Sequence, residues 1–396
     1  MIYLATMTRK PEFSCFLANE KYSIRPGGPK WRSALPINRT PLEPESAVRP
    51  LTYGDYFEAV RVFLERDQYK AVVTALYCVG RGNGDIEQIQ AIRVFLVKHG
   101  QYYHPARIEI NCGKLSSFVL NVAVSATARE MIKKEATALD LLCTRFPYFF
   151  LPKVYARGEV CIDGGRDFGM FLGQWFEGYH EFHLSRGNGD GNSRIIVWDG
   201  RPAKHFLSPE QTGEVYTRAA LILTAYYNPA TFERITAWHH AAGDFVIRPD
   251  RGRIIMKLIT VRQYAPLFEN AQPDVHLMLE ALQFFLLDLS LHMGLDRLDG
   301  VGDPTWAGDR AVAGSVDGFF KGLMLQVKVG LIPREIVEGC REYLAAVSRA
   351  EWIDMIVSVV NRYDASLPDL PLIRFNLDQY AACLYRSVTD MDRHTI

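Results

Sequence analysis

The chain has 396 residues, 48% of them hydrophobic and 23% charged, and its formal net charge is zero. Such a globular composition is long enough for two or three packed lobes, and its balanced charge gives no support for nucleic acid as a main partner. No apolar run reaches the roughly 18–20 residues that cross a bilayer, so no membrane partner is expected.

Met1 to Glu20 lacks the basic start and apolar core of a secretory signal. The seven cysteines are dispersed, odd in number and never in a C-x-x-C pair. They read as reduced core thiols of a cytoplasmic protein.

Residues 1–50 carry turn and extended signals, Arg25-Pro26-Gly27-Gly28-Pro29 and Pro41-Leu42-Glu43-Pro44. They predict an N-terminal arm lying over the body, or a partly disordered tail. Residues 51–84 form a helical extension: the apolar spacing of Phe57, Val60, Phe63 and Leu64, then Val72, Val73, Leu76 and Tyr77, predicts two short amphipathic helices. The stretch Gly80-Arg81-Gly82-Asn83-Gly84 follows no strand, so it reads as a helix stop and linker rather than a phosphate loop.

From Ile89 the pattern turns to β. Strands are predicted at 91–97, 106–110 and 118–124, a helix at 129–143, and two further strands at 151–155 and 170–176. Residues 185–208 read as an insertion, with Gly187-Asn188-Gly189-Asp190-Gly191-Asn192-Ser193 as a flexible loop. A helix over 209–227 then leads into AWHHAAGDFVIRPDRGRIIMKLITVRQYAP, read as a polar turn followed by a hairpin that reverses at Pro249-Asp250-Arg251-Gly252. From His276 onward the pattern is helical, beginning with the strongly apolar HLMLEALQFFLLDLSLHM. A mixed small lobe over 85–180 feeding a helical large lobe over 181–396 is an α+β arrangement.

The order FVLNVAVS, KKEATALDLL, LPKVYARGEV, MFLGQWFEGYHEF resembles the protein-kinase-like superfamily, and within it the aminoglycoside-phosphotransferase-like branch. The resemblance covers about Ile89 to Phe320 and implies a two-lobed fold with a nucleotide-binding cleft. In that family a strand lysine holds ATP phosphates, a helix glutamate pairs with it, and a hinge bonds adenine. Glu135 matches the glutamate, Trp175, Phe176 and Glu177 match the hinge, and Asn121 fills the lysine position. Ala242-Gly243-Asp244 matches the His-Gly-Asp of the catalytic loop, which makes Asp244 the candidate base, with His240 two residues before Ala242.

Phosphoryl transfer needs phosphate-positioning cations, a metal held by carboxylates and a base near the acceptor hydroxyl. Pro249 stands where the family places a magnesium-binding asparagine, and Met256-Lys257-Leu258 holds no second metal carboxylate. Three phosphate- or metal-handling positions are thus altered together. The resemblance then implies a pseudokinase-like binding or regulatory module taking a small-molecule or protein ligand in the inter-lobe cleft, with ATP and Mg weakened as cofactors. One alternative is an atypical ATP-dependent phosphotransferase acting on a small molecule with Asp244 as base.

A second alternative is metal chemistry. Six of the ten histidines form three close pairs, His99 with His104, His180 with His183, and His239 with His240, with Glu181 and Asp244 nearby. Imidazoles with a carboxylate suit zinc or iron, whereas the plainer reading is hydrogen-bonded or surface histidines. Asp296 to Asp303 reads as a helix-ending turn with capping aspartates, since its spacing does not fit a calcium loop. Arg262, Gln263 and Tyr264 read equally as ligand-orienting or structural residues.

Overall fold

The computed structural model describes residues 10–18, 20–37, 50–81, 86–100, 102–186, 193–201, 203–236, 238, 240–268, 274–300, 302–363 and 367–393. The Gly-rich stop at 82–84, the loop at 187–192, most of the Pro-rich part of the arm and His239 lie outside these residues. The chain divides into two units, Met1–Cys143 with Pro152–Glu177, and Thr144–Leu151 with Gly178–Ile396.

The first unit contains β1 (Glu12–Leu17), α1 (Pro29–Arg32), α2 (Tyr53–Cys78), β2 (Ala91–Leu96), β3 (Ala106–Asn111), β4 (Leu115–Ala123), α3 (Ala126–Arg145), β5 (Val154–Ile162) and β6 (Arg166–Gln174). Its sheet has six strands in the order β1-β2-β3-β4-β6-β5. The sequence predicts five antiparallel strands. The sixth is β1, which leaves the N-terminal arm and pairs in parallel with β2, Cys15 opposite Val94. An arm read as lying over the body instead completes the sheet edge, because its six extended residues satisfy backbone groups that β2 would otherwise leave open.

The α2 helix starts at a capping box, with the Thr52 side chain accepting from the Asp55 N–H and Asp55 accepting from the Thr52 N–H at 2.9 Å. It breaks at Asp67, Gln68 and Tyr69, whose φ values are 50°, 56° and 60°, so the two predicted helices form one run interrupted by a left-handed turn. Its Tyr56, Phe57, Val60, Phe63, Leu64, Val72 and Leu76 share one core with Ile92, Val94, Phe118, Leu120, Val122, Phe168, Met170 and Leu172 of the sheet. On the alternate face Gly169 lets α3 approach, since a Cβ there would stand 3.1 Å from Ile132 Cγ2.

The second unit begins with a small sheet of β7 (Phe182–Arg186), β8 (Ser193–Val197) and β9 (His205–Phe206). The segment read as an insertion therefore supplies a sheet of its own. There follow α4 (Pro209–Ala225), β10 (Glu233–Thr236), the short turn α5 (Ala241–Asp244), β11 (Phe245–Asp250), β12 (Arg253–Leu258), β13 (Gln263–Pro266) and α6 (Val275–Met293). After a small hairpin of β14 (Leu295–Arg297) and β15 (Pro304–Trp306) come α7 (Asp309–Lys328), α8 (Arg334–Ala346), α9 (Arg349–Val360) and α10 (Leu370–Arg393). The chain is thus α+β, one unit carrying a multi-stranded sheet and the other mainly helical.

By length and composition alone, α6 is apolar enough to cross a membrane, which corrects the reading that no such run exists. The acidic residues inside it hid the run in the sequence. Half of its most apolar window is buried inside the fold. There Asp288 pairs with Arg234 of β10, and the Ser290 hydroxyl meets the Tyr380 hydroxyl of α10 at 2.8 Å.

Helices α4 and α7 meet backbone to backbone along Gly314, Gly318 and Gly322, spaced four apart on α7. A Cβ on Gly318 would stand 2.2 Å from the Thr217 carbonyl oxygen, and one on Gly322 would stand 2.5 Å from Thr224 Cβ. Gln326, one turn on, donates from Nε2 to the Thr224 and Tyr227 carbonyls at 2.8 and 2.7 Å. Gly213 of α4, by contrast, has nothing within 4 Å of an added Cβ.

Overpacking costs about 1–3 kcal/mol, and a backbone atom cannot swing aside as a side chain does. Helix propensity returns only about 1 kcal/mol on replacing glycine by alanine. Gly318→Ala is expected to lower the melting temperature by roughly 4–8 °C, and Gly213→Ala to leave it unchanged or raise it. Equal effects of the two substitutions in thermal melts would refute a backbone contact at Gly318.

Candidate functional site

The predicted catalytic turn lies within the second unit. Gly243, at φ 91°, turns the chain so that β11 starts directly after Asp244. The turn is pinned on both sides: the Ile259 N–H donates to the Asp244 carbonyl at 2.9 Å, and His180 exchanges backbone hydrogen bonds with Ile247 at 2.8 and 2.9 Å. The Asp244 carboxylate is 3% exposed. Arg262, four residues past the end of β12, grips it with both ends of the guanidinium, Nη2 donating to Oδ1 at 2.7 Å and Nη1 to Oδ2 at 3.0 Å. This two-point geometry matches guanidinium to carboxylate and is stronger than a neutral hydrogen bond.

The neighbouring positions have structural roles. The predicted reversal at 249–252 is shorter than expected: Pro249 and Asp250 belong to β11, and the turn is Arg251-Gly252, with φ values of 47° and 84°. Pro249 sits opposite Ile254 and has no side-chain ligand to offer. Lys257 donates to the Phe149 carbonyl, and burial followed by the Arg248 charge lowers its pKa. Tyr264 donates to the Tyr226 carbonyl at 3.0 Å, and Gln263 is exposed in β13.

In the first unit, Asn121 of β4 lies opposite Phe171 of β6, on the sheet face that also carries Gly169, and is half-buried. Glu135 is 1% exposed on α3, one turn from Ile132. Trp175 and Phe176 are half-buried, with the Arg107 guanidinium 5.9 Å from the Trp175 ring centroid. The first unit ends at Glu177, and the second begins at Gly178.

Of the histidines, His99 and His104 stay together with their Nδ1 atoms 3.0 Å apart, and His183 and His240 converge on Asp296. His240 Nδ1 donates to the Ala242 carbonyl and stands 3.9 Å from Asp296 Oδ1, so it is Arg262 and not His240 that holds Asp244. His183, its ring centroid 4.4 Å from that of Trp198 and tilted to it by 44°, has its Nδ1 3.9 Å from the same Asp296 oxygen. Asp296 is not the helix cap that the sequence suggests. It is 7% exposed and accepts from the Leu184 N–H at 2.9 Å and the Arg297 N–H at 2.7 Å, tying β14 to β7. An aspartate just past an apolar helix gives no sequence signal that separates a surface cap from a buried brace.

Among the described residues no group of three or more His, Cys, Asp or Glu side chains could hold a metal ion. Pro249 and Met256-Lys257-Leu258, which the resemblance sets at metal positions, offer no carboxylate to magnesium, and the nearby Asp244 carboxylate faces a guanidinium.

No protein-family model matches the chain, and no curated protein matches it. Among solved structures it is similar to WaaP in complex with acyl carrier protein, with 11% identity and a TM-score of 0.26 over 60% of this chain and 84% of that one. It is also similar to the Drosophila melanogaster PAN3 pseudokinase, with 11% identity and a TM-score of 0.28 over 78% of this chain and 68% of that one.

Removing one partner of a buried pair leaves the other charge uncompensated, at about 3–5 kcal/mol. Asp244→Asn and Arg262→Gln are each expected to destabilise the protein by about that amount, and the double variant by clearly less than their sum. Denaturant titration measures the cycle. Additive losses would mean that the carboxylate and the guanidinium do not depend on each other.

Proposed function

We propose that the chain is a two-lobed protein-kinase-like fold of the aminoglycoside-phosphotransferase-like branch, kept as a pseudokinase-type binding or regulatory module for a small-molecule or protein ligand. The observation that carries this reading is the buried two-point pair between Asp244 and Arg262. A catalytic base must release its lone pairs to an incoming hydroxyl and stand beside a metal-bound phosphate. Here both carboxylate oxygens accept from a fixed cation. A dication at this carboxylate would also meet the like charge of the guanidinium, which offsets the carboxylate's attraction. Asn121 in place of the strand lysine and Pro249 in place of the metal-binding asparagine support the same reading.

Thermal shift with ATP, with and without Mg²⁺, tests it. A ligand that binds only the folded state raises the melting temperature by mass action. Mg²⁺ is expected to add nothing to any nucleotide effect, and neither the wild type nor Asn121→Lys is expected to hydrolyse ATP. Wild-type hydrolysis abolished by Asp244→Asn would establish the phosphotransferase alternative.

A further inference from the structure

One motif that this reading leaves unused is the His99–His104 pair of the first unit. The two Nδ1 atoms are 3.0 Å apart. His104 is fully buried, its backbone N–H donates to the Val122 carbonyl at 2.8 Å, and its carbonyl accepts from the Tyr56 hydroxyl at 2.7 Å. Its Nε2 is buried without a hydrogen-bond partner among the described residues. His99 is half-buried, with its Nε2 3.5 Å from the Tyr53 hydroxyl.

An Nδ1–Nδ1 hydrogen bond holds one proton, so one ring donates and the other accepts. A buried lone pair without a partner is better tolerated than a buried N–H without one. Accordingly, His104 Nδ1–H donates to His99, and His99 Nε2–H points to Tyr53. A second proton on the pair breaks this order. A doubly protonated His99 would force the His104 hydrogen onto its buried Nε2, and protonation of both rings would set two N–H groups against each other.

Tyr53 is where the N-terminal arm is fastened. Lys30 of α1 lies 5.1 Å from the Tyr53 ring centroid, Trp31 stacks on Phe57 at 6.0 Å, and the Tyr53 N–H donates to the Ser33 carbonyl at 3.1 Å. The other end of the arm, β1, pairs along β2 as far as Leu17 opposite Leu96, three residues before His99. We propose that the His104–His99–Tyr53 relay is an acid-released latch holding the N-terminal arm, β1 with α1, to the sheet of the first unit.

The charged and titratable groups around the relay favour the neutral form. Lys30 from α1 opposes protonation of His99, Tyr53 and Tyr56 from α2 stay neutral with pKa values raised chiefly by burial, and Glu20 faces Tyr53 rather than the imidazoles. Lys98, Tyr102 and Tyr103 flank the pair in its own segment. No carboxylate among the described residues pairs with either ring. Burial, then His99, lowers His104 from 6.5 to about 4, and burial followed by Lys30 lowers His99. Because the folded state binds fewer protons than the open one, the latch is at full strength above pH 6.5 and weakens as the pH falls toward 4. A displacement from 6.5 to about 4 favours the open state roughly 30-fold at pH 5 relative to high pH.

Hydrogen exchange on the full chain reads the latch directly. Between pH 7.5 and 5, protection of the β1 amides and of the Tyr53 amide, corrected for intrinsic rates, is expected to fall by roughly tenfold or more, while β5 and β6 stay protected. His104→Gln keeps a donor and an acceptor but removes the imidazole whose displacement drives the change, and is expected to leave a clearly smaller fall than the wild type's over the same interval. Should that variant fold poorly, imidazole ¹⁵N spectra of the wild type serve instead, with β1 opening expected to coincide with proton uptake by the pair. Protection of β1 that is constant with pH, or an equal loss in His104→Gln, would rule the latch out.

Discussion

A carboxylate that is 3% exposed needs a counter-charge, and much of the hairpin region of the second unit is arranged around the one that Asp244 receives. Arg262 lies 18 residues further on, beyond a complete hairpin, so the pair forms only if β11 and β12 fold back in register. The backbone bond from Ile259 to Asp244 closes the same loop. His180 in turn joins β11 from the start of the unit. A side chain that the sequence suggests as a catalytic base therefore serves as the fastener of a hairpin, and that role restricts what else it can do.

The helical part of the same unit depends on the close contact of α4 with α7. The glycine row allows backbone approach, and Gln326 donates to carbonyls at the end of α4, where the helical ladder runs out. The apolar helix α6 is then less a span than a core element. Its partly buried acidic side chain, Asp288, is answered by His292 and Arg234, and its pKa is lowered even though burial alone would raise it.

Much of the fold was legible. The apolar alternation at 91–96 and 118–122 and the helical spacing at 132, 136 and 139 correspond to β2, β4 and α3, because strand and helix periods are local properties of the chain. The hairpin at 245–258 was legible from its β-prone runs and from Gly252, although Pro249 drew the turn too early. A proline whose strand neighbour does not need its N–H is accepted at a sheet edge. Strand β1 was not legible, since six residues of an arm acquire strand character only from the edge they join. The three glycines of α7 carried a visible four-residue spacing, but spacing alone does not name the helix that fills it.

The sequence by itself determined most of the segments that are strands and helices, and it supplied the side chains Asn121, Glu135, Pro249 and Asp244. Tertiary structure alone decided what those groups do. It paired Asp244 with Arg262 instead of His240, buried Asp296 between β14 and β7, and brought the Nδ1 atoms of His99 and His104 within 3.0 Å. The division has a physical basis. Backbone periodicity follows from steric effects within a few residues, whereas the partner of a charge or an imidazole depends on which distant segment the packing brings within about 3 Å of it.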